Sequence, residues 1–407
     1  MPPGCRGLPG RPWRVVIVTT CTPPLVGGIE RLALNLARGL QDTGCEVLIV
    51  GQFATAMRTL RQRFVAAEPE RTLAVEGVTV RLLRPRWPWS LPGALVQGLL
   101  RLPLLWRLAI AVLARACAEP LDPLLRGADV VHYLGTGCEP LGFGARASAH
   151  RLGACFCVQP SIHPGRWGDR RIDGRLYRRA DAVFSLSAAE TAVLARLGVR
   201  AKRIVPVLGS IDPPVATDPT SFRQRHGVAG PLVLFLGRKT AEKGLVRLLL
   251  AWSAVRRAIP GACLAIVGPG RASRPPALWP DGVFELVDAS PAEKNQALAA
   301  CDLLCLPSLG EAYGMAVCEA CSYGKAVVCC DLPALRETVG AARAGLLVEP
   351  QPGAIAHALI ALLRDPAERA AMGERGRALV APMTHARALA RYRQAYADAL
   401  SSMACLR

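Results

Sequence analysis

The chain has 407 residues, 51% of them hydrophobic, with 50 Lys and Arg against 31 Asp and Glu and a formal net charge of +19. That length is enough for two globular domains with separate cores. The basicity fits anionic lipid headgroups or polyanionic substrates, and an Arg-rich bias is the plain alternative, since the only lysines are 202, 239, 243, 294 and 325. Nucleic acid is not an expected partner, because no recognised binding motif occurs and few aromatics lie among the arginines.

Cysteines such as Cys305, Cys329 and Cys330 sit inside apolar runs. They read as buried small hydrophobes in a reducing, cytoplasmic compartment rather than a disulfide framework. Cys318-x-x-Cys321 has no second pair at zinc spacing, so no metal is expected there. The start, Met1 to Pro12, shows no secretory leader pattern.

Val15 to Thr20 is β-branched and apolar, as a buried parallel strand should be. Gly27-Gly28 then makes a turn that a side chain would obstruct, and Leu32, Leu36 and Leu40 repeat at helical spacing. Further strands follow at Val47 to Val50 and Val78 to Leu83.

Between Arg84 and Arg126 lies an apolar segment broken by Arg101, Pro103, Arg107 and Arg115 and flanked by Trp87, Trp89 and Trp106. No uncharged run reaches the ~18 residues of a spanning helix. Two readings stand: a hairpin of core helices whose Arg heads reach water, or a helix lying on an anionic membrane surface.

Asp129 to His132 begins another strand, with Gly135 and Gly137 in the loop after it. Ala154 to Val158 is the next strand and ends in a loop carrying Ser161, His163, Arg166 and Asp169. Val183 to Ser187 and Ala188 to Leu197 follow as a strand and a helix. Arg203 to Val207 and the turn Gly209 to Pro213 read as a proline-stiffened linker.

In the second half the run Pro231 to Leu236 leads into GRKTAEKGL, where Arg238 and Lys243 stand five apart after a strand. A planar guanidinium fork and a compact ammonium suit phosphate oxygens, although such a pair is also common on a solvated loop. Strands at Leu264 to Val267 and Val283 to Val287 and a helix over Pro291 to Ala300 deliver the chain to Cys301–Cys330. This stretch reads strand, loop, helix, strand, with Glu311 in the loop, a helix over about Tyr313 to Tyr323 carrying Glu319, and Gly324-Lys325 at its end. In such units ligands sit beyond the carboxyl ends of the strands.

Pro307-Ser308, Glu311, Gly314, Glu319-Ala320 and Gly324 together resemble the E-x7-E signature of the family 4 retaining glycosyltransferases. The resemblance covers the chain from Val15 to about Leu400 and implies an α/β fold of the GT-B type, two Rossmann-like domains facing a central cleft. It implies an N-terminal acceptor-side domain over 1–206, a nucleotide-sugar domain over 207–384, and a C-terminal helix over 385–407 returning to the first domain.

It further implies that Glu319 accepts from the ribose hydroxyls, that Glu311 lies near the donor sugar, and that N–H groups around Gly314 and Met315 face phosphate or sugar oxygens. Arg238 and Lys243 are implied to hold the diphosphate, and the loop of Gly27, Gly28 and Glu30 to approach the donor from the first domain. The Ser161–Asp169 loop is similar to the family's acceptor-side loop, with His163 two positions beyond the place some relatives give a His. A catalytic and a loop-structuring role for His163 both stand, whereas His132 reads as structural.

DLPALRETV, with Pro333-Ala334, departs from the family's usual glycine pair, though Glu337 keeps the acidic position. The implied activity is that of a metal-independent, hexosyltransferase-type enzyme with no cofactor. It would move a sugar with retention from a nucleotide diphosphate to a sugar or glycolipid acceptor, in cell-envelope glycan or glycolipid synthesis at the inner face of the membrane. A nucleotide-sugar epimerase and a non-catalytic nucleotide-sugar binder are the alternatives. A dinucleotide oxidoreductase fits less well, because no G-x-G-x-x-G follows Val15 to Thr20.

Overall fold

The computed structural model describes residues 11–55, 68–86, 105–135, 139–270 and 279–405. Trp87, Trp89, Arg101, Pro103 and Gly137 of the sequence reading lie outside the described residues. Packing divides the chain into one unit of Met1–Leu208 with His385–Arg407 and a second of Gly209–Thr384.

The first unit is built on β1 (Arg14–Thr19), whose unbroken β-branched run is buried on both faces. Around it lie β2 (Glu46–Gly51), β3 (Arg71–Val75), β4 (Val78–Leu82), β5 (Val130–Leu134), β6 (Cys155–Gln159), β7 (Ala182–Ser185) and β8 (Ile204–Pro206), in the order β3-β4-β2-β1-β5-β6-β7-β8. Only β3 is antiparallel among the described pairings. Glu76 and Gly77 join it to β4 with φ values of 47° and 80°, the positive pair that a two-residue hairpin turn requires.

The helices α1 (Gly28–Asp42), α2 (Trp106–Leu125), α3 (Pro140–Leu152), α4 (Arg171–Tyr177) and α5 (Ala188–Arg196) connect these strands. The sequence reading made Arg203 to Val207 a linker, but Ile204–Pro206 pairs in parallel with β7 as the edge strand. Pro206 is tolerated because an edge strand can lack an N–H donor.

The second unit holds α6 (Pro219–Arg225), β9 (Leu232–Leu236), α7 (Leu245–Ala258), β10 (Cys263–Val267), β11 (Val283–Leu286), α8 (Pro291–Ala300), β12 (Leu303–Leu306), α9 (Met315–Ser322), β13 (Ala326–Cys330), β14 (Gly345–Val348), α10 (Pro352–Arg364) and α11 (Pro366–Val380). Its sheet runs β11-β10-β9-β12-β13-β14, parallel throughout. The strand order reverses between β9 and β12, the place at which open α/β sheets bind ligands beyond the carboxyl ends of the strands.

The last helix, α12 (His385–Ala404), belongs to the first unit. Ala388, Tyr392, Ala395, Tyr396 and Ala399 join Leu36, Ala37 and Leu40 of α1 in one buried cluster. Two buried polar contacts fix its position: Tyr392 OH donates to Gln159 Oε1 at 2.6 Å, and His132 Nδ1 lies 2.6 Å from Tyr396 OH. Burial lowers His132 to about 3, so its ring is neutral in the core.

Candidate active site

In the second unit, three loops at the carboxyl ends of β9, β10 and β12 are bonded to one another. Gly237 N donates to Val267 O at 3.0 Å, Lys239 N to Pro269 O at 3.1 Å, and Leu309 N to Glu242 O at 2.8 Å. This contact needs glycine. Gly244 has φ +79°, and a Cβ there would collide with the Pro307 carbonyl. The backbones of the β9 and β12 loops therefore meet without intervening side chains.

Lys243 and Glu311, 68 residues apart, are brought together by that contact: Lys243 Nζ lies 2.6 Å from Glu311 Oε1. The pair is largely shielded, with the side chains 15% and 8% exposed. Arg238, on the β9 loop, is exposed, and its guanidinium has no acceptor among the described residues. Its neighbour Lys239, which the sequence reading did not single out, is instead buried and ion-paired with Glu285 of β11. That ammonium is already neutralised, so of the cations in the loop Arg238 remains open to an incoming anion.

Helix α9 starts directly after Glu311. Its N-cap Gly314 has φ +87°, a conformation L side chains rarely adopt, and a Cβ there would fall 2.7 Å from Leu335 Cδ2. Val317 N and Cys318 N both turn back to Gly314 O, at 2.9 and 3.1 Å. The N–H groups of Met315 and Ala316 have no acceptor among the described residues, with the positive end of the helix dipole behind them.

One turn further on, Glu319 Oε1 receives Lys294 Nζ of α8 at 2.9 Å, with the two side chains about a quarter exposed (24% and 26%). Lys294 is the second residue that sequence reasoning missed. The helical phase of Pro291–Ala300 was legible, but the ion pair that joins its Lys294 to Glu319 of α9 was not. Glu311 and Glu319 lie close enough to one buried thiol that both carboxylates add to the rise in the Cys318 pKa, which burial chiefly causes. Burial likewise pushes Cys321 up to about 12, which leaves the C-x-x-C of α9 as two protonated core thiols.

In the first unit, the loop after β6 carries His163. The chain turns tightly there, with His163 N donating to Trp167 O and Trp167 N to His163 O, both at 3.1 Å. The imidazole sits with its ring centre 4.4 Å from that of Trp167, its Nδ1 lying 3.1 Å from Ser161 O. Ser161 adopts φ 49°, an uncommon conformation for a residue with a Cβ.

Glu190 of α5 holds this loop to the next one. Its Oε1 accepts from Ile162 N and its Oε2 from Leu186 N, both at 2.7 Å. Burial raises the Glu190 carboxyl to about 7 despite those two N–H donors.

Gly27 caps α1 with an extended backbone beneath the flexible end of the Glu30 side chain, and a Cβ at Gly28 would meet nothing within 4 Å, so the expectation that a side chain would obstruct this turn is not met. At the same sheet end, a buried Glu139 accepts from Thr20 Oγ1 at 2.6 Å and from Tyr133 OH. Burial and the Glu139 charge hold the Tyr133 phenol well above its ordinary pKa.

Both halves match known family models. Residues 27–208 match the glycosyl transferase 4-like domain and residues 218–379 match glycosyl transferases group 1. The chain belongs to the group 1 glycosyltransferase family. Among curated proteins it is 29% identical over 357 residues to 2-deoxystreptamine N-acetyl-D-glucosaminyltransferase of Streptomyces fradiae, covering 79% of each chain. It is 34% identical over 146 residues to phosphatidyl-myo-inositol mannosyltransferase of Mycobacterium tuberculosis, a match to 33% of this chain and 39% of that relative.

Solved structures share the fold. Sucrose-phosphate synthase from Thermosynechococcus elongatus superposes with TM-score 0.72 at 18% identity, over 96% of this chain and 100% of that one. Anabaena HepE, solved with UDP-glucose, gives TM-score 0.68 at 18% identity, over 96% and 99%. The lipopolysaccharide glycosyltransferase WaaG gives 0.66 at 15%, over 93% and 98%. The architecture is that of the GT-B glycosyltransferases.

Proposed function

We propose that the protein transfers a hexose from a nucleoside-diphosphate donor to an acceptor hydroxyl, with retention at the anomeric carbon and without a metal ion. The observation that carries this reading is that Arg238, the Lys243–Glu311 pair and the first turn of α9 all lie on the segments that follow β9 and β12, at the strand-order reversal of the second unit.

The bond from the anomeric carbon to the diphosphate breaks, and its electron pair leaves with the phosphate oxygen. Arg238, Lys243 and the helix start supply positive charge and N–H donors where that charge develops, the role a divalent cation would otherwise fill. Glu311 keeps Lys243 in place until the donor arrives, and Glu319 takes the ribose. With retention, the acceptor hydroxyl attacks from the face the diphosphate is leaving. Its proton passes to the departing phosphate oxygen, which gains negative charge on that face as the bond breaks.

His163 is assigned to the acceptor, and Gly27 and Gly28 to close backbone approach to the donor. The names of the relatives support an acceptor that is a cyclitol, a sugar or a glycolipid of either. Incubation with UDP-, GDP- and ADP-sugars and a cyclitol panel, following diphosphate release and the anomeric configuration of the product, tests the reading. Donor isomerisation without acceptor, or release that requires added divalent metal, overturns it.

A second reading concerns location, on the cytoplasmic side against an anionic membrane. It is supported by a basic face on the helix layer of the first unit. Two guanidinium groups lie over the Trp106 ring, Arg107 at 5.5 Å and Arg175 at 5.1 Å from its centre. Leu105 and Leu108 beside it are 41% and 62% exposed. Arg107, Arg178 and Arg179 act together on Arg175, adding to the lowering of its pKa that desolvation begins, so the four guanidinium groups form one cluster. Apolar side chains and an indole among arginines match the chemistry of a headgroup layer. No described helix is long and apolar enough to cross a membrane.

A further inference from the structure

We infer that Lys294 is a specificity-determining residue for the donor: together with Glu319 it forms a two-sided clamp on the ribose diol of the nucleotide. The inference rests on the reading of the second unit as a nucleotide-sugar site.

Glu319 by itself is an acceptor-only carboxylate on the fifth position of α9. One of its oxygens is occupied, since Oε1 takes Lys294 Nζ at 2.9 Å, and Oε2 has no partner among the described residues. A cis-diol offers two hydroxyls, each of which can donate or accept. With Oε1 already carrying the ammonium, Oε2 is the carboxylate oxygen without a partner among the described residues, and we place one hydroxyl as a donor to it. The second is matched by Lys294, which has three N–H donors and spends one on Glu319. Each partner of the pair then satisfies one hydroxyl, and the ion pair itself fixes the spacing between the two contacts.

Charge supports the same assignment. A diphosphate approaching α9 meets Glu311 and Glu319, two carboxylates that both act on Cys318. Lys243 neutralises the first and Lys294 the second, so neither repels the ligand. The position of Lys294 is itself well determined. It lies in the first turns of α8, behind a capping box in which Ser290 Oγ accepts from Glu293 N and the Glu293 carboxylate from Ser290 N. About a quarter of each side chain is open to solvent, enough to be reached from outside.

Calorimetric titration of the full chain with UDP, GDP and ADP identifies the tightest base, whose 2′-deoxy and 3′-deoxy counterparts are then titrated into wild type, Lys294→Ala and Lys294→Arg. A hydrogen bond to a charged group leads us to expect about tenfold weaker binding of the ribonucleotide to Lys294→Ala. One of the two deoxy penalties seen in wild type should disappear in that variant while the other persists, and Lys294→Arg should restore part of the lost affinity. If Lys294→Ala binds all three nucleotides as wild type does, or weakens them by one common factor, Lys294 only braces α8 against α9 and the clamp is overturned. If wild type binds no nucleoside diphosphate, the nucleotide-site reading itself fails and takes the clamp with it.

Discussion

Lys243 Nζ and Glu311 Oε1 stand 2.6 Å apart although 68 residues separate them in the chain. The contact exists because the β9 and β12 loops touch through Gly244 and Pro307 at the reversal of the strand order. It is shielded from solvent, so its two members are not independent. Removing one leaves a poorly solvated charge, at a cost of about 3 kcal/mol. Glu311→Ala should therefore destabilise the second unit more than the double variant Glu311→Leu with Lys243→Met. Chemical denaturation of the three proteins measures this, and equal losses would show the pair to be solvated.

Arg238 should behave in the opposite way. Its exposed guanidinium has no acceptor among the described residues, so Arg238→Ala should change stability by less than about 0.5 kcal/mol. Transfer should fall by about 100-fold or more, the loss typical of removing one group that stabilises developing charge. Parallel melting and turnover measurements separate the two effects.

Gly244→Ala tests the contact between the loops. The residue would have to hold φ +79° with its Cβ against the Pro307 carbonyl. The cost expected is about 1–3 kcal/mol, with loss of donor binding as the loops part. Gly353, around which nothing lies within 4 Å, is the control position, and Gly353→Ala should leave donor binding intact.

The first unit should carry a pH signature from Glu190. Burial raises its folded-state pKa to about 7 from 4.5, so between those values the folded chain holds a proton that the unfolded chain has released. The associated stability, about 3 kcal/mol at most, is fully present below pH 4.5 and is lost as pH rises through about 7. Glu190→Gln cannot titrate, and its melting temperature should fall less over that interval than that of wild type. Identical pH profiles for the two proteins would exclude Glu190 as the titrating group.

The basic face predicts binding to vesicles containing phosphatidylglycerol and none to phosphatidylcholine alone. Adding salt should weaken it, since exposed charges are screened beyond about 8–10 Å. Arg175→Glu with Leu108→Ser should abolish co-sedimentation while donor turnover with a soluble acceptor is kept. Binding to both vesicle types, or binding unaffected by the variant, would remove this face from the membrane reading.

The order of strands and helices was legible in the chain because buried parallel strands leave short apolar runs and helices leave their own period. Glu311, Gly314 and Glu319 were legible because one strand-loop-helix unit carries all three within 9 residues. Arg203 to Val207 was misread as a linker because an edge strand as short as Ile204–Pro206, ending in a proline, leaves almost no pattern.

Local order, then, was determined by the sequence alone: which segments are strands, which loop holds the carboxylates, and that Arg238 and Lys243 follow a strand. Only the tertiary structure decided which charges meet. Lys239 is committed to Glu285, Lys243 to Glu311 and Lys294 to Glu319, while Arg238 is left open. The physical reason is that each of these partners lies on a different strand, loop or helix from its lysine. Their distances are set by the sheet order β11-β10-β9-β12 and by helix packing above it, neither of which is written in local spacing.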